Sequence, residues 1–338
     1  MEASGDISEY QLMRRILCID GGGIMGTQPA SFLASLEDDL DRPIGEYFDL
    51  IAGTSTGGIL AIGLAMGLTA KELLDLYVER GSHIFGQASG PLAGRLGDIW
   101  RVIKHLVAPK HDADLLRAEL ASVLQNKRIG DARTRLVIPA WDADHRSVYI
   151  YKTAHHQRLK TDYKKPALDA AMATAAAPTY FKRHRTVDDI GLLDGGTWCN
   201  NPIDIAVVEA ITLLGWPASS LRILSLGCAN EVYMIGEAPG VFGLGRDITR
   251  LFMDGQSRSA LGIAKLLTGH EYDRDAIFRV CPDVPKDFFR LDDTHKISRL
   301  KGMGVAAARR ERTRIEPIFF TQPAEPFVPE HKLREVMP

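Results

Sequence analysis

The sequence predicts an α/β fold with a mainly parallel central sheet covered on both faces by helices. Three observations carry this. Short apolar runs alternate with segments of helical spacing, the pattern of strand–helix units. The apolar runs are short and bounded by turn residues, as buried strands are. Glycine-rich turns follow three of them, after Ile19, after Ala52 and after Leu193. In such sheets the ligand site lies at the carboxyl ends of the strands.

In chain order, Ile16 to Ile19 reads as a strand that ends at Asp20 and three glycines. Gln28 to Leu40 follows as a helix with Phe32, Leu33, Leu36 and Leu40 on one face. Tyr47 to Ala52 is the next strand, and Ile59 to Met66 a buried helix stopped by Gly67. Thr69 to Glu72 has the spacing of a capping box and opens a helix through Leu73, Leu74, Tyr77 and Val78. Gly81 to Pro109 is rich in glycine and weakly patterned before Ile99 to Val107, so a mobile cover over a site is expected there. Asp114 to Leu124 suits a packed helix, and Arg135 to Trp141 with Ser147 to Lys152 a hairpin. Ala167 to Ala177 is an alanine-rich helix stopped by Pro178. Ile190 to Leu193 is a strand, Asp204 to Leu214 a helix and Arg222 to Leu226 a strand. The rest is mostly helical, with one strand at Ala276 to Val280. The expected division is an N-terminal extension (1–15), a core (16–230) and a mostly helical part packed on it (231–338).

Composition narrows the classes. The 338 residues are 45% hydrophobic and 25% charged, enough to bury a large core. Lys plus Arg is 41 against 43 Asp plus Glu, a net charge of −2 that argues against a nucleic-acid polymer as partner. Cys18, Cys199, Cys228 and Cys281 are widely spread, which fits a reducing compartment and neither a disulfide scaffold nor a cysteine metal site. No spacing of metal ligands appears, and no cofactor is expected. The first ten residues are acidic and carry no apolar run, and the longest apolar stretch, Ile59 to Leu68, is about half a membrane span. A cytoplasmic protein is expected, peripheral at a membrane when active.

Gly53-Thr54-Ser55-Thr56-Gly57 matches the G-x-S-x-G nucleophile turn, between a strand and a buried helix. The turn lifts the serine hydroxyl clear of the sheet, and Gly53 and Gly57 remove side chains that would clash. Gly21-Gly22-Gly23-Ile24-Met25-Gly26 has two functional readings beside that of a mere tight turn. It satisfies the dinucleotide fingerprint G-x-G-x-x-G, but the end of the second strand, where the ribose carboxylate belongs, is occupied by the serine turn. The alternative is an oxyanion loop whose Gly22 and Gly23 backbone N–H groups face a developing negative charge. Asp194-Gly195-Gly196 alone reads as a turn; beside the other two it would bring Asp194 to the same sheet edge as Ser55. None of the ten histidines lies in a comparable turn, and His155, His156 and His184 read as lone surface residues. Cys199 reads as packing. Tyr151 to Arg185 holds eight lysines and arginines against Asp162 and Asp169, either a solvated face or an attraction to anionic headgroups or a phosphorylated ligand.

These motifs, in this order, resemble the patatin-like phospholipase family. The matching stretches are Ile19 to Gly26, Gly53 to Gly58, Ala173 to Tyr180, Asp194 to Gly196 with Asn200-Asn201-Pro202, and Leu224 to Gly227. The resemblance implies a three-layer α/β/α sandwich and a lipid acyl hydrolase working through a Ser–Asp dyad. Ser55 would be the nucleophile and Asp194 its base, with Gly21, Gly22, Gly23 and Gly26 in the oxyanion loop. Many members carry arginine where this chain has Met25, which bears on headgroup preference. The family includes bacterial anti-phage effectors switched on by cyclic nucleotides. A phospholipid substrate, a cyclic-nucleotide activator and a homo-oligomer are therefore the partners it suggests. Two rivals remain at this point: a nucleotide-binding oxidoreductase using the first glycine loop, and a non-catalytic protein of the same fold.

Overall fold

The computed structural model describes residues 13–85, 113–232, 247–270, 275–285, 288 and 294–333. The expected cover, Gly81 to Pro109, lies for the most part outside them, as does most of the N-terminal extension.

The chain runs β1 (Arg14–Ile19), α1 (Thr27–Glu37), β2 (Leu50–Gly53), α2 (Thr56–Ala65), α3 (Ala70–Phe85) and α4 (Ala113–Leu124). It continues through the hairpin β3 (Arg135–Asp142) and β4 (Ser147–Lys152), then α5 (Ala167–Thr174), β5 (His184–Arg185) and β6 (Gly191–Asp194). The last part is α6 (Ile203–Thr212), β7 (Leu221–Leu226), β8 (Asn230–Val232), α7 (Asp247–Thr268), β9 (Ile277–Val280), β10 (Asp283–Pro285) and α8 (Ile297–Phe319). The central strands β3, β2, β1, β7 and β9 lie side by side and all parallel.

Side chains alternate across this sheet and build a core on each face. Leu17, Ile19, Ile51, Leu136, Ile138, Leu224 and Phe278 pack with α1, α2, α5 and α8. Ile16, Cys18, Leu50, Ala52, Val137, Ile223 and Ile277 pack with Ala206 and Ala210 of α6 and Ala260 and Ala264 of α7. Burial on both faces is why these strands read as continuous apolar runs. The residues after 230 contribute to each layer: β9 extends the sheet beside β7, α7 lies on α6, and α8 lies along α1.

Local chemistry sets the boundaries. Thr69 and Glu72 form the reciprocal cap of α3, with the Thr69 N–H on Glu72 Oε2 at 2.7 Å and the Glu72 N–H on Thr69 Oγ1 at 3.1 Å. The second strand starts at Leu50 rather than Tyr47, because Ile44–Tyr47 closes a 3₁₀ turn that buries Ile44 and Tyr47. α2 begins at Thr56, three residues before the apolar run that signals it, since the serine turn itself supplies its first turn.

β3 has three strand partners, and their registers position the site. Along Val137–Asp142 one edge of β3 is taken by β4. A strand has two edges, so β2 and β6 share the other. β2 pairs with Arg135–Val137 and β6 with Ala140–Asp142. β6 is antiparallel to β3 while β2 is parallel, so the carboxyl ends of β2 and β6 meet head-on across a break at Ile138 and Pro139. Asp194 thus reaches the edge expected of it by a route the sequence did not suggest: its strand enters from beyond the parallel sheet and runs back toward Ser55.

Candidate active site

The serine turn is built by close backbone approach. A Cβ on Gly53 would lie 2.1 Å from the Gly57 carbonyl oxygen, and one on Gly57 2.3 Å from that of Ile19. Only glycine lets α2 start this near the ends of β1 and β2. Ser55 sits at φ 54°, ψ −124°, a conformation L-residues rarely adopt, which costs on the order of 1–3 kcal/mol and marks a strained functional turn. The same residue caps the positive end of α2, where developing negative charge is favoured.

Ser55 Oγ donates to Asp194 Oδ2 at 2.6 Å. The other carboxylate oxygen, Oδ1, accepts the Gly196 N–H at 2.6 Å, and the Asp194 N–H donates to the Ala176 carbonyl at 3.1 Å. Burial pushes the Asp194 carboxyl up to about 7, against the opposing pull of the hydrogen bonds from Ser55 and Gly196. A carboxylate in that range is a far better base than one at 3.8.

The first glycine loop lies against the serine. A Cβ on Gly21 would come within 3.1 Å of Ser55 Cβ. Not every glycine of the loop is free to donate. The Gly21 N–H is spent on the Asn200 carbonyl at 3.0 Å. Gly26 is a packing residue, since a Cβ there would meet Thr56 Oγ1 at 2.2 Å. The N–H groups of Gly22 and Gly23 bond no acceptor among the described residues.

Three residues to which the sequence assigned no role hold the arrangement together, although Thr174 and Asn200 fall within stretches that carry the family resemblance. Thr174 fills the break between β2 and β6: its Oγ1 accepts the Ser55 N–H at 3.0 Å and donates to the Pro139 carbonyl at 2.7 Å. Proline has no N–H, so no donor is orphaned there. Asn200 bridges to α7, its N–H donating to Gln256 Oε1 at 2.7 Å. Arg279, at the end of β9, forks onto both oxygens of Asp20 at 2.8 and 2.5 Å and donates to Ser225 Oγ at 2.7 Å. That pair pins the residue just before the glycine loop. Arg279→Met leaves the buried Asp20 carboxylate without its cation, so a loss of about 3–5 kcal/mol in urea unfolding is expected. No local pattern announces Arg279, and the stretches that contain Thr174 and Asn200 do not say which residues they bond.

One expectation is corrected. His155 and His184 are not surface residues: His155 bonds Glu209 at 2.8 Å and His184 bonds Asp169 at 3.0 Å, both buried, because the chain brings distant carboxylates to them. The positive stretch from Tyr151 to Arg185 is partly offset by acids from elsewhere in the chain. Lys152 pairs with Glu209, Lys165 with Asp188, and Arg183 and Arg185 with Asp144, carboxylates that lie outside the segment. Cys199 packs as expected, its thiol buried.

A family model described as patatin-like phospholipase matches residues 17–207. A cGAMP-activated phospholipase of Pseudomonas aeruginosa is 35% identical over 303 residues, spanning 87% of this chain and 88% of its own. Another of that description, from Vibrio cholerae, is 30% identical over 355 residues, spanning 94% and 98%. Patatin-like protein 2 of Arabidopsis thaliana is 32% identical over 256 residues, spanning 66% and 61%.

Proposed function

The chain belongs to the patatin-like phospholipase family, and from that premise we propose that Ser55 and Asp194 are the catalytic pair of a phospholipid acyl hydrolase. The observation that carries the pairing is the 2.6 Å hydrogen bond from Ser55 Oγ to a buried carboxylate poised near neutrality. The first glycine loop is accordingly an oxyanion loop and not a dinucleotide fingerprint.

Asp194 takes the Ser55 proton as Oγ attacks an ester carbonyl of the lipid. Charge collects on the carbonyl oxygen, where the N–H groups of Gly22 and Gly23 and the positive end of α2 receive it. Each such donor contributes about 3–4 kcal/mol in the transition state. The intermediate collapses, and the departing alkoxide regains the proton from Asp194 and leaves as an alcohol. Water then attacks the acyl-serine, giving its proton to Asp194. A second collapse frees the fatty acid and returns the proton to Ser55. His155 and His184 take no part, since each is committed to a carboxylate elsewhere.

Two relatives matched over most of their length are described as cGAMP-activated. On that support, a cyclic nucleotide raises the activity of this chain too, and release of acyl chains from the host's own bilayer serves anti-phage defence. A lipid digest followed by mass spectrometry, with and without cGAMP, reads both. Released fatty acid and an adduct of a fluorophosphonate on Ser55 are the expected results. A folded enzyme that neither labels nor releases fatty acid under either condition would overturn the reading.

A further inference from the structure

Of the eleven large apolar side chains exposed among the described residues, six lie on α7, so the exposure is concentrated rather than scattered. They are Ile248, Leu251, Phe252, Ile263, Leu266 and Leu267, with Phe252 68% and Leu266 73% exposed. At 3.6 residues per turn, Ile248, Phe252, Ile263 and Leu266 share one side of the helix. Ser259 and Gly255 lie between them, also exposed. The opposite side carries Ala260 and Ala264, buried against α6. α7 is thus apolar on both faces, and its outer face has no protein partner among the described residues. Single exposed leucines need no explanation, but a helix-long stripe does.

The helix is also tied to the active site and reaches past it. Gln256 holds the Asn200 N–H and Ser257 accepts from Asn201, so the tenth and eleventh residues of α7 lie level with the catalytic edge of the sheet. Ala260 and Ala264 then pack downward along α6. The nine residues before Gln256, Asp247–Gly255, extend beyond that edge by about 13 Å at 1.5 Å per residue. Ile248, Leu251 and Phe252 stand on this projecting part and are exposed.

We propose that the outer face of α7 docks the enzyme on the surface of a phospholipid bilayer, an inference that rests on the phospholipase reading above. The substrate of a phospholipase lies in a bilayer, and no helix among the described residues is long and apolar enough to cross one. The enzyme therefore meets its lipid from the surface, and α7 offers an apolar stripe that runs alongside the catalytic edge and projects past it. A second copy of the chain is the weaker occupant. A face about 33 Å long and about 10 Å wide covers roughly 330 Å² per partner, well below the roughly 800 Å² a stable dimer uses.

The test uses the full chain and phosphatidylcholine vesicles, with and without cGAMP. Phe252→Asp and Leu266→Asp place a charge on the docking face of a surface helix and touch no catalytic group. Each is expected to reduce co-flotation with vesicles about tenfold or more and to cut phospholipid turnover in parallel. Hydrolysis of a soluble p-nitrophenyl ester and thermal unfolding stay unchanged, which separates docking from folding and from the chemistry. Phe252→Trp supplies an independent reading: its emission shifts to the blue on vesicles and is quenched by brominated acyl chains. Ser55→Ala, which cannot turn over lipid, floats like the wild type, so a failure of the catalytic reading leaves this result standing. Unchanged flotation of both Asp variants, or loss of a dimer in sedimentation with vesicle binding intact, would overturn the proposal.

Discussion

Asp194→Asn is expected to be as inactive as Ser55→Ala, each losing about 10⁴-fold or more in kcat on a soluble ester, and the double variant no worse than either. The reason lies in the single hydrogen bond between them. A serine without its base keeps a proton that nothing else at the site can take, since Thr174 Oγ1 already serves the Ser55 N–H and the Pro139 carbonyl. The asparagine variant folds, because its amide can still accept from Gly196 through Oδ1 and face Ser55 through the NH₂ group. It should also be more stable at high pH. The Asp194 carboxyl is held at about 7 against 3.8 when exposed, so the folded state favours the protonated form. That contribution is complete below about pH 3.8 and is lost as pH rises through 7, a difference on the order of 4 kcal/mol. Thermal unfolding at pH 8 should therefore rise in Asp194→Asn, with the gain vanishing toward pH 4. Substantial ester turnover by either single variant, or an essential histidine in an alanine scan, would sink the dyad.

The second large effect is on pH. Asp194 must be ionised to accept the serine proton, and its pKa of about 7 makes it half-protonated at neutrality. The kcat/KM of the wild type should rise through pH 7 and flatten above pH 8. Below it, activity should fall about tenfold per pH unit, so that pH 5 retains roughly 1% of the plateau. His155 cannot mimic this limb, because it is buried on Glu209 and its burial pushes its own pKa down. A profile flat between pH 5 and 8 would show that the base titrates elsewhere. Mild acid is thus expected to lower activity through a protonation that itself favours the folded state.

Much of this site was legible in the sequence, because the chemistry of sharp turns is local. The glycines around Ser55 are dictated by backbone contacts within and beside one turn, and a strand followed by Gly-Thr-Ser-Thr-Gly announces them. The strands and their order of appearance followed from apolar runs that only burial on two faces explains. What stayed hidden is non-local. Thr174 lies 119 residues from Ser55, and Arg279 259 residues from Asp20. The direction of β6 was equally unreadable, since an apolar run of four residues carries no arrow. The histidines show the same limit from the other side: His155 looks like a surface residue until Glu209, 54 positions away, is folded against it.

The head-on meeting of β2 and β6 makes β3 a gauge for the reaction. Ser55 follows one strand and Asp194 ends another; the two strands never pair with each other, and each is indexed separately to the same third strand. Their separation is therefore counted in residues of β3: Ala52 is set by Val137, Asp194 by Ala140, and the interval is Ile138 and Pro139. One residue of slippage on either side moves a reacting atom by about 3.3 Å, more than the whole length of the bond it must make. The tolerance of the machine is thus finer than its unit of assembly, and the hairpin with β4 keeps the gauge straight. Substitutions on the far edge of β3, remote from any lipid, fall within the working parts of the enzyme.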